Sequence, residues 1–426
     1  MTNPANIERL NRKIPPNINS IEQINFIAPE QYSLVNGARL FWQHGLQNNT
    51  SKIELHFAAG VAIGDPLSAT FCAGLLINGS ENRNARQIQN ALDQVGAYYD
   101  VSLGQLTAVV TIYALNQHLL EAYQIFHQAL FSAIFPQKEL DQLIRERQEK
   151  FKINEQKVSF LAQRLFQKEL LAKTNFAKLL ELEDFSKAKR EDIKTFHEQH
   201  YLKGLKNVFL VGDFTPELVT QLELLLNDYR CDSKQNITFE WHASKSAIHL
   251  EQNSALQSAI RIGRPLFNKT HPDYLDFCIL NTILGDYFGS RLMSNIREDK
   301  GFTYGIGSHI VENNTFGYFV IGTEVGVNNR IATFEEIQKE FKRLQTDLVS
   351  EEELGLVKSY LLGQLLKSAD GPYAMLDLYA NVYTYGLDLN FYDQYIKAIK
   401  KIEPQRLRSL AQQYLNWDEM LIISAG

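Results

Sequence analysis

The segment "REDIKTFHEQHYLKG" sets two imidazoles, His197 and His200, three residues apart with Glu198 between them. Imidazoles on one helix face can hold a metal ion. A zinc helix of the H-E-x-x-H type needs its second His at the fifth position, and Tyr201 stands there. The pair therefore reads as a solvated helix face. Cys72, in "SATFCAGLLINGS", is a candidate nucleophile. A thiol needs an identifiable base beside it to act as one; the sequence offers none, so a buried structural thiol is expected. "LGDYFG" (residues 284–289) is glycine-containing but has neither G-x-x-x-x-G-K-[ST] nor G-x-G-x-x-G, which makes a nucleotide loop a weak reading. His56 lies on the strand face opposite Ile53, Leu55 and Phe57, at an exposed or edge position. "AYYD" (residues 97–100) precedes an edge strand. An extended peptide could add to such an edge, and packing explains the aromatics equally well.

The elements that position these residues form two similar halves. "KIELHFAAG" alternates as a half-buried strand. "SENRNARQIQNALDQVGAYYD" is a helix stopped at Gly96. Residues 107–115 form a β-branched strand, 137–170 a long charged helical region, and "NVFLVGDF" a buried strand ending at Gly212. After a weakly periodic linker the plan repeats: "SAIRIGRPL" as a strand, "PDYLDFCILNTILG" as an apolar helix, "GYFVIGTEV" as a strand, "EEELGLVKSYLLGQLLKS" as a long helix, and "MLIISAG" at the end. Each half closes with an amphipathic helix leading to Tyr-Leu (Tyr201-Leu202, Tyr414-Leu415), then a short apolar strand stopping at Gly212 or Gly426. This pattern predicts a duplicated α+β unit: two homologous domains, residues 1–225 and 246–426, joined by a linker over 226–245. Each is expected to hold a mostly antiparallel sheet packed with helices.

The bulk numbers narrow the function classes. The 426 residues carry a net charge of −6, with 45% hydrophobic and 22% charged side chains. This argues against a nucleic-acid footprint, which shows as a basic patch. No run of about 18 apolar residues exists, so no membrane span is expected. The N-terminus, "MTNPANIERLNRKIPPNINS", lacks an apolar stretch of the kind found in signal peptides. Three scattered cysteines, Cys72, Cys231 and Cys278, build no disulfide framework or zinc ribbon and read as reduced thiols. A cytoplasmic protein is expected.

With these elements in place, the chain resembles the pitrilysin/insulinase family of zinc peptidases, in its short two-domain form similar to mitochondrial processing peptidase. The resemblance runs from about Leu34 to Gly426. The family has a strand, then a helix carrying H-x-x-E-H, a Gly-Thr turn, and a helix ending in Gly-Ala. Here these are "IELHFAAG", the helix around Cys72, Gly79-Ser80 and Gly96-Ala97. The first His then falls at Thr70, the Glu at Ala73 and the second His at Gly74. The third ligand, a Glu on the helix after "FPQKEL", falls near Leu143, with Glu146 and Glu149 within a register slip. Zinc-bound water needs two imidazoles and a carboxylate base, and catalytic zinc usually takes three protein ligands. These positions supply neither.

The second half keeps the family's pattern: "LGDYFGSRLMSNIREDKGFTYGIGS" has the glycine-containing loop, Ser-Arg-Leu and R-x-x-x-G-x-x-Y. The resemblance implies an Arg/Tyr pair facing the chamber, Arg297 and Tyr304, seven residues apart, on a helix end and entering a strand. An Arg fork holds a carbonyl or carboxylate and a Tyr hydroxyl donates to an oxyanion. Gly285 and Gly289 border the chamber as substrate-binding loop positions that lend it mobility. Two-chain members divide the work: one subunit carries H-x-x-E-H, the other half of a clam-shell chamber and the Arg/Tyr pair. The resemblance thus implies a non-catalytic subunit of a heterodimeric zinc metallopeptidase, with no cofactor in this chain and zinc in the homologous partner. Short peptides would be the substrates, without nucleic acid or membrane. The alternatives are a fold-only structural or peptide-binding protein, or a self-sufficient enzyme using Cys72.

Overall fold

The computed structural model describes residues 19–45, 47–232, 239–242, 245–253 and 255–426. Most of the N-terminal segment read above, and residues 233–238 and 243–244 of the linker, lie outside these.

The N-terminal half contains strands β1 (Glu30–Ser33), β2 (Arg39–Gln43), β3 (Thr50–Phe57), β4 (Tyr98–Leu103), β5 (Ala108–Leu115) and β6 (Leu205–Val211). Its helices are α1 (Pro66–Leu75), α2 (Ala85–Gln94), α3 (Leu119–Phe131), α4 (Gln137–Glu155), α5 (Val158–Leu170), α6 (Arg190–His197) and α7 (Pro216–Leu226). The C-terminal half has β7 (Ala247–Leu250), β8 (Gln257–Leu266), β9 (Ile306–Glu312), β10 (Gly317–Gly326) and β11 (Leu421–Ala425). With them come α8 (Tyr274–Gly285), α9 (Arg330–Thr346), α10 (Glu351–Ser368), α11 (Gly371–Tyr383), α12 (Asn390–Lys401) and α13 (Pro404–Tyr414).

Duplication is written into the sheets. Sheet one runs β1-β2-β6-β3-β5-β4 and sheet two β7-β11-β8-β10-β9. Leaving out β1, the orders correspond strand for strand. In each sheet the strand that ends the half pairs parallel to the opening one, β6 on β2 and β11 on β7. All remaining pairs are antiparallel. Each sheet buries an apolar face against its own helices. Ile53, Leu55 and Phe57 of β3 lie in one core, and Ile260 and Ile262 of β8 in the other. β4 is an edge strand, as the sequence implied.

The charged region 137–170 is two helices rather than one. Lys157 is extended between α4 and α5, and α5 turns away from its own half. Its i, i+4, i+8 stripe, Ala162, Phe166 and Leu170, packs on Ala259, Leu421, Ile423 and Ala425 of sheet two. The C-terminal half returns the exchange: Leu376, Tyr379 and Ala380 of α11 pack on Phe41, Phe209 and Val211 of sheet one. The halves are thus laced together by helices occupying equivalent places in the repeat. A buried ion cluster sits at the second crossing. The Lys52 side chain is 2% exposed, with its Nζ 2.8 Å from Glu54 of the same strand and 2.5 Å from Asp377 of α11.

Candidate functional site

Asp65 starts α1. Its carboxylate accepts the Ser68 N–H at 2.8 Å, and Pro66 occupies the first turn, the expected chemistry of a helix N-terminus. One face of this helix turns to α4 and brings together the positions assigned to the missing zinc ligands. Thr70 donates its hydroxyl to the Pro66 carbonyl at 2.7 Å. Ala73 is buried. Gly74 faces Leu143 so closely that a Cβ there would lie 2.8 Å from the leucine Cδ2 and 3.8 Å from Arg147 Nη2. Glu146 and Glu149 are both exposed; Glu146 accepts from Gln142, and Glu149 pairs with Lys152 at 2.7 Å. A hydroxyl tied to its own helix, a methyl, a glycine and a leucine do not fit zinc. Among the described residues no group of three or more His, Cys, Asp and Glu converges to hold a metal. Cys72 is fully buried beside this face, and burial raises its thiol pKa well above the ordinary range.

Two histidine expectations are corrected. His56 is at neither an exposed nor an edge position. β3 lies inside the sheet, and the His56 side chain, 13% exposed, lies 4.8 Å from the ring of Phe209, tilted by 58°, and approaches Glu54 at 3.4 Å. "HEQH" is not a solvated face either. α6 passes into a π-helical turn, Glu198–Leu202; His197, the last residue of α6, continues the buried i, i+3, i+4 stripe of Ile193 and Phe196 and lies against Phe135. Burial lowers the His197 pKa to about 4. His200 Nδ1 meets the Ala58 carbonyl at 3.0 Å.

The Arg/Tyr region is built on a π-helical segment, Met293–Asp299. Arg291 clamps its start to α10 through two 2.8 Å hydrogen bonds to Glu353. Asn295 donates to Glu340, a 1% exposed carboxylate, at 2.8 Å. Gly301, at φ +65, makes the left-handed turn out of the segment, which favours glycine. The chain then runs along β10, pinned on both sides of Tyr304. Thr303 Oγ1 donates to the Glu324 carbonyl at 2.7 Å, and Thr323 Oγ1 to the Gly305 carbonyl at 2.9 Å. Tyr304 is left projecting, 91% exposed. It lies in the loop before β9 and not in a strand. With Arg261, His309, Tyr318 and Glu324 it lines a 650 Å³ cleft on the open face of sheet two, closed on one side by Gln163 of α5.

Arg297 is not in that cleft's wall. Its guanidinium lies 4.8 Å over the ring of Phe288, and it makes no ion pair among the described residues. The spacing of seven therefore brings the pair to one region without bringing both to one cavity. Gly285 is buried: a Cβ there would sit 2.5 Å from Ser308 Oγ and 2.8 Å from Ser308 N. Close packing of α8 on β9 replaces the expected mobility at this position. Gly289 is exposed in the loop, next to Tyr287. Arg261, His309 and Glu324, which sequence reasoning missed, alternate along strands and carry no spacing signal. Arg291 stood in the quoted Ser-Arg-Leu.

Two family models match the chain: "Insulinase (Peptidase family M16)" over residues 42–183 and "Peptidase M16 inactive domain" over 187–361. The chain is 20% identical to "Uncharacterized zinc protease YmxG" of Bacillus subtilis (strain 168) across 406 residues, covering 92% of this chain and 97% of that one. It is 24% identical to "Non-peptidase homolog YmxG" of Helicobacter pylori across 379 residues, 86% and 87% of the two chains. In fold it is similar to the crystal structure of a peptidase M16 inactive domain from Pseudomonas fluorescens (TM-score 0.83, 21% identity, 94% and 98% covered). It is also similar to that of a protease from Helicobacter pylori (TM-score 0.84, 15% identity, 93% and 100% covered). Two matched domains, a duplicated α+β fold and the missing zinc ligands at Thr70, Ala73, Gly74 and Leu143 lead to one conclusion: the chain belongs to peptidase family M16, the insulinase family, as an inactive member.

Proposed function

We propose that this chain is the non-catalytic subunit of a heterodimeric zinc metallopeptidase, paired with a homologous chain that carries H-x-x-E-H and its zinc. It supplies half of a chamber for short peptides, with Tyr304 and Arg297 directed at substrate bound by the partner and Gly289 in the bordering loop. Three free cysteines favour a reducing compartment, the cytoplasm. The observation that carries the reading is Tyr304: a large polar side chain, 91% exposed at the mouth of a cleft, with no hydrogen bond to its hydroxyl among the described residues and its loop pinned on either side. The buried Tyr201 also has no hydroxyl partner among the described residues, so exposure is what sets Tyr304 apart from a core tyrosine. Arg297, over an aromatic ring and without an ion pair among the described residues, is likewise able to take an external acceptor. A phenol donor can stabilise developing negative charge on a substrate oxygen, and loss of one such donor typically costs about 10²–10³ in kcat.

The test is co-purification from the native cell followed by turnover. A stoichiometric H-x-x-E-H chain is expected with the wild type. Tyr304→Phe and Arg297→Ala are expected to lower kcat at least about tenfold with the complex intact by size exclusion. Unchanged turnover in both variants, or no such partner, overturns the reading. The second reading, a fold-only or peptide-binding protein, is favoured by one observation: Arg297 and Tyr304 do not share a cavity.

A further inference from the structure

Leu143 packs into the space facing Gly74, but beside Thr70 the surface stays concave. A 280 Å³ cleft remains beside Thr70, between α1, α4 and α5. Its walls carry four cations and no carboxylate: Arg147 and Lys150 from α4, Arg164 from α5, and Lys178. Only Arg164 has an acidic partner, Glu181 at 2.8 Å. It is also fixed against two rings, with its guanidinium 5.1 Å from the centre of Phe151 and 5.4 Å from that of Phe160. Arg147, Lys150 and Lys178 make no ion pair among the described residues. In a chain of net charge −6, this is a local surplus of three positive charges on a concave surface.

The placement of Arg147 is specific. It follows Leu143 by one helical turn, and its Nη2 reaches within 3.8 Å of where a Gly74 side chain would begin. The guanidinium has moved into the space from which the second ligand position faces α4. A site of this charge repels a metal ion and attracts an anion. Its floor is apolar, with Phe151, Phe160 and Phe185 lining the same cleft. Inorganic phosphate would satisfy the cations and leave that floor wet. A carboxylate attached to an apolar side chain satisfies both, because an Arg fork matches carboxylate geometry and the rings bury the side chain.

We propose that this cleft, beside the degenerate metal-site helix, binds the free C-terminal carboxylate of an extended peptide whose last side chain is apolar. The inference concerns this chain alone and does not depend on a catalytic partner.

The experiment is fluorescence anisotropy on the purified full chain with an N-terminally labelled hexapeptide ending in Leu. It is presented as the free acid, as the C-terminal amide, and as the amide with an internal Glu. The free acid is expected to bind, the Leu amide about tenfold more weakly or worse, as for loss of one charge-assisted contact, and salt is expected to weaken the free acid alone. Arg147→Gln and Lys150→Gln, two partly or fully exposed positions whose folding a thermal melt verifies, are each expected to weaken the free acid severalfold and leave the amide unmoved. Equal binding of acid and Leu amide, or indifference to both substitutions, overturns the proposal. An internal-Glu amide that matches the free acid overturns the C-terminal assignment. Displacement by millimolar phosphate, together with equal binding of Leu- and Gly-ended acids, overturns the peptide assignment in favour of a simple anion site.

Discussion

Lys52→Met tests what holds the two halves together. The side chain is 2% exposed and touches Glu54 and Asp377, so methionine keeps the volume and removes the charge. Desolvation alone would raise the Glu54 pKa. The His56 hydrogen bond and Lys52, through charge and contact, bring it down to about 2 from 4.5. At about 1.36 kcal/mol per unit, that is on the order of 3 kcal/mol shared between His56 and Lys52. Asp377 adds less: its side chain is 58% exposed, and burial of the part facing Lys52 raises its carboxyl pKa rather than lowering it. Screening limits that share to about 1 kcal/mol. Lys52→Met is therefore expected to destabilise by about 3 kcal/mol, the low end for leaving a buried charge unpaired. Urea unfolding followed by circular dichroism measures it. In Lys52→Met/Glu54→Gln the unpaired carboxylate is gone, so the double variant is expected to be more stable than the sum of the singles implies, by about 2 kcal/mol. The pH profile is a second reading. A depressed carboxyl contributes stability that is present above its unfolded pKa, near 4.5, and is lost as pH falls through about 2. The wild type loses that stability across this window, and Lys52→Met has less to lose. A single variant within 1 kcal/mol of wild type, or strict additivity of the pair, refutes the reasoning.

Glycine substitutions separate packing from openness. Gly285→Ala drives a Cβ to 2.8 Å from the backbone nitrogen of Ser308, which cannot move aside, and is expected to cost about 2 kcal/mol in chemical denaturation. In Gly74→Ala the close contact is with the end of the Leu143 side chain, Arg147 Nη2 lying at an ordinary 3.8 Å. That side chain can rotate while the helix gains up to about 1 kcal/mol, so this variant is expected to be neutral or slightly stabilised. Cys72, fully buried with a raised pKa, is expected to react with a thiol reagent only at the rate of unfolding, after the partly exposed Cys231. Early labelling of Cys72 would show that the α1 region opens locally.

Much of this architecture was legible in the chain because each signal was local. The alternation of Ile53, Leu55 and Phe57, the stop at Gly96 and the matched endings at Tyr201-Leu202 and Tyr414-Leu415 gave the strands, a helix and the duplication. The exchange of α5 and α11 was not legible. Ala162, Phe166 and Leu170 make an ordinary apolar stripe, and periodicity says that such a stripe is buried without saying against which sheet. The same blindness misplaced His56, where alternation gave the face correctly but not the position of β3 inside the sheet. His197, by contrast, falls on the i, i+3, i+4 stripe of Ile193 and Phe196, so its burial was legible in the periodicity.

The two candidate sites differ in the same way. Tyr304 was found through spacing, yet its exposure comes from the pins at Thr303 and Thr323, which are long-range contacts to β10. The cations of the degenerate site were in view all along as part of a charged helix, where a solvated face is the ordinary reading of Arg147 and Lys150. Phe160 is one turn from Arg164 on α5, but only the reversal between α4 and α5 brings Arg164 against Phe151 and sets it facing the cations of α4. Decay of a metal site by drift predicts that apolar packing fills the gap, as Leu143 has done against Gly74. It does not predict unpaired cations around what is left, because unpaired like charges repel across a concave surface and destabilise the fold that holds them. Their presence beside an aromatic floor is the feature that drift leaves unexplained and that binding of an anion accounts for.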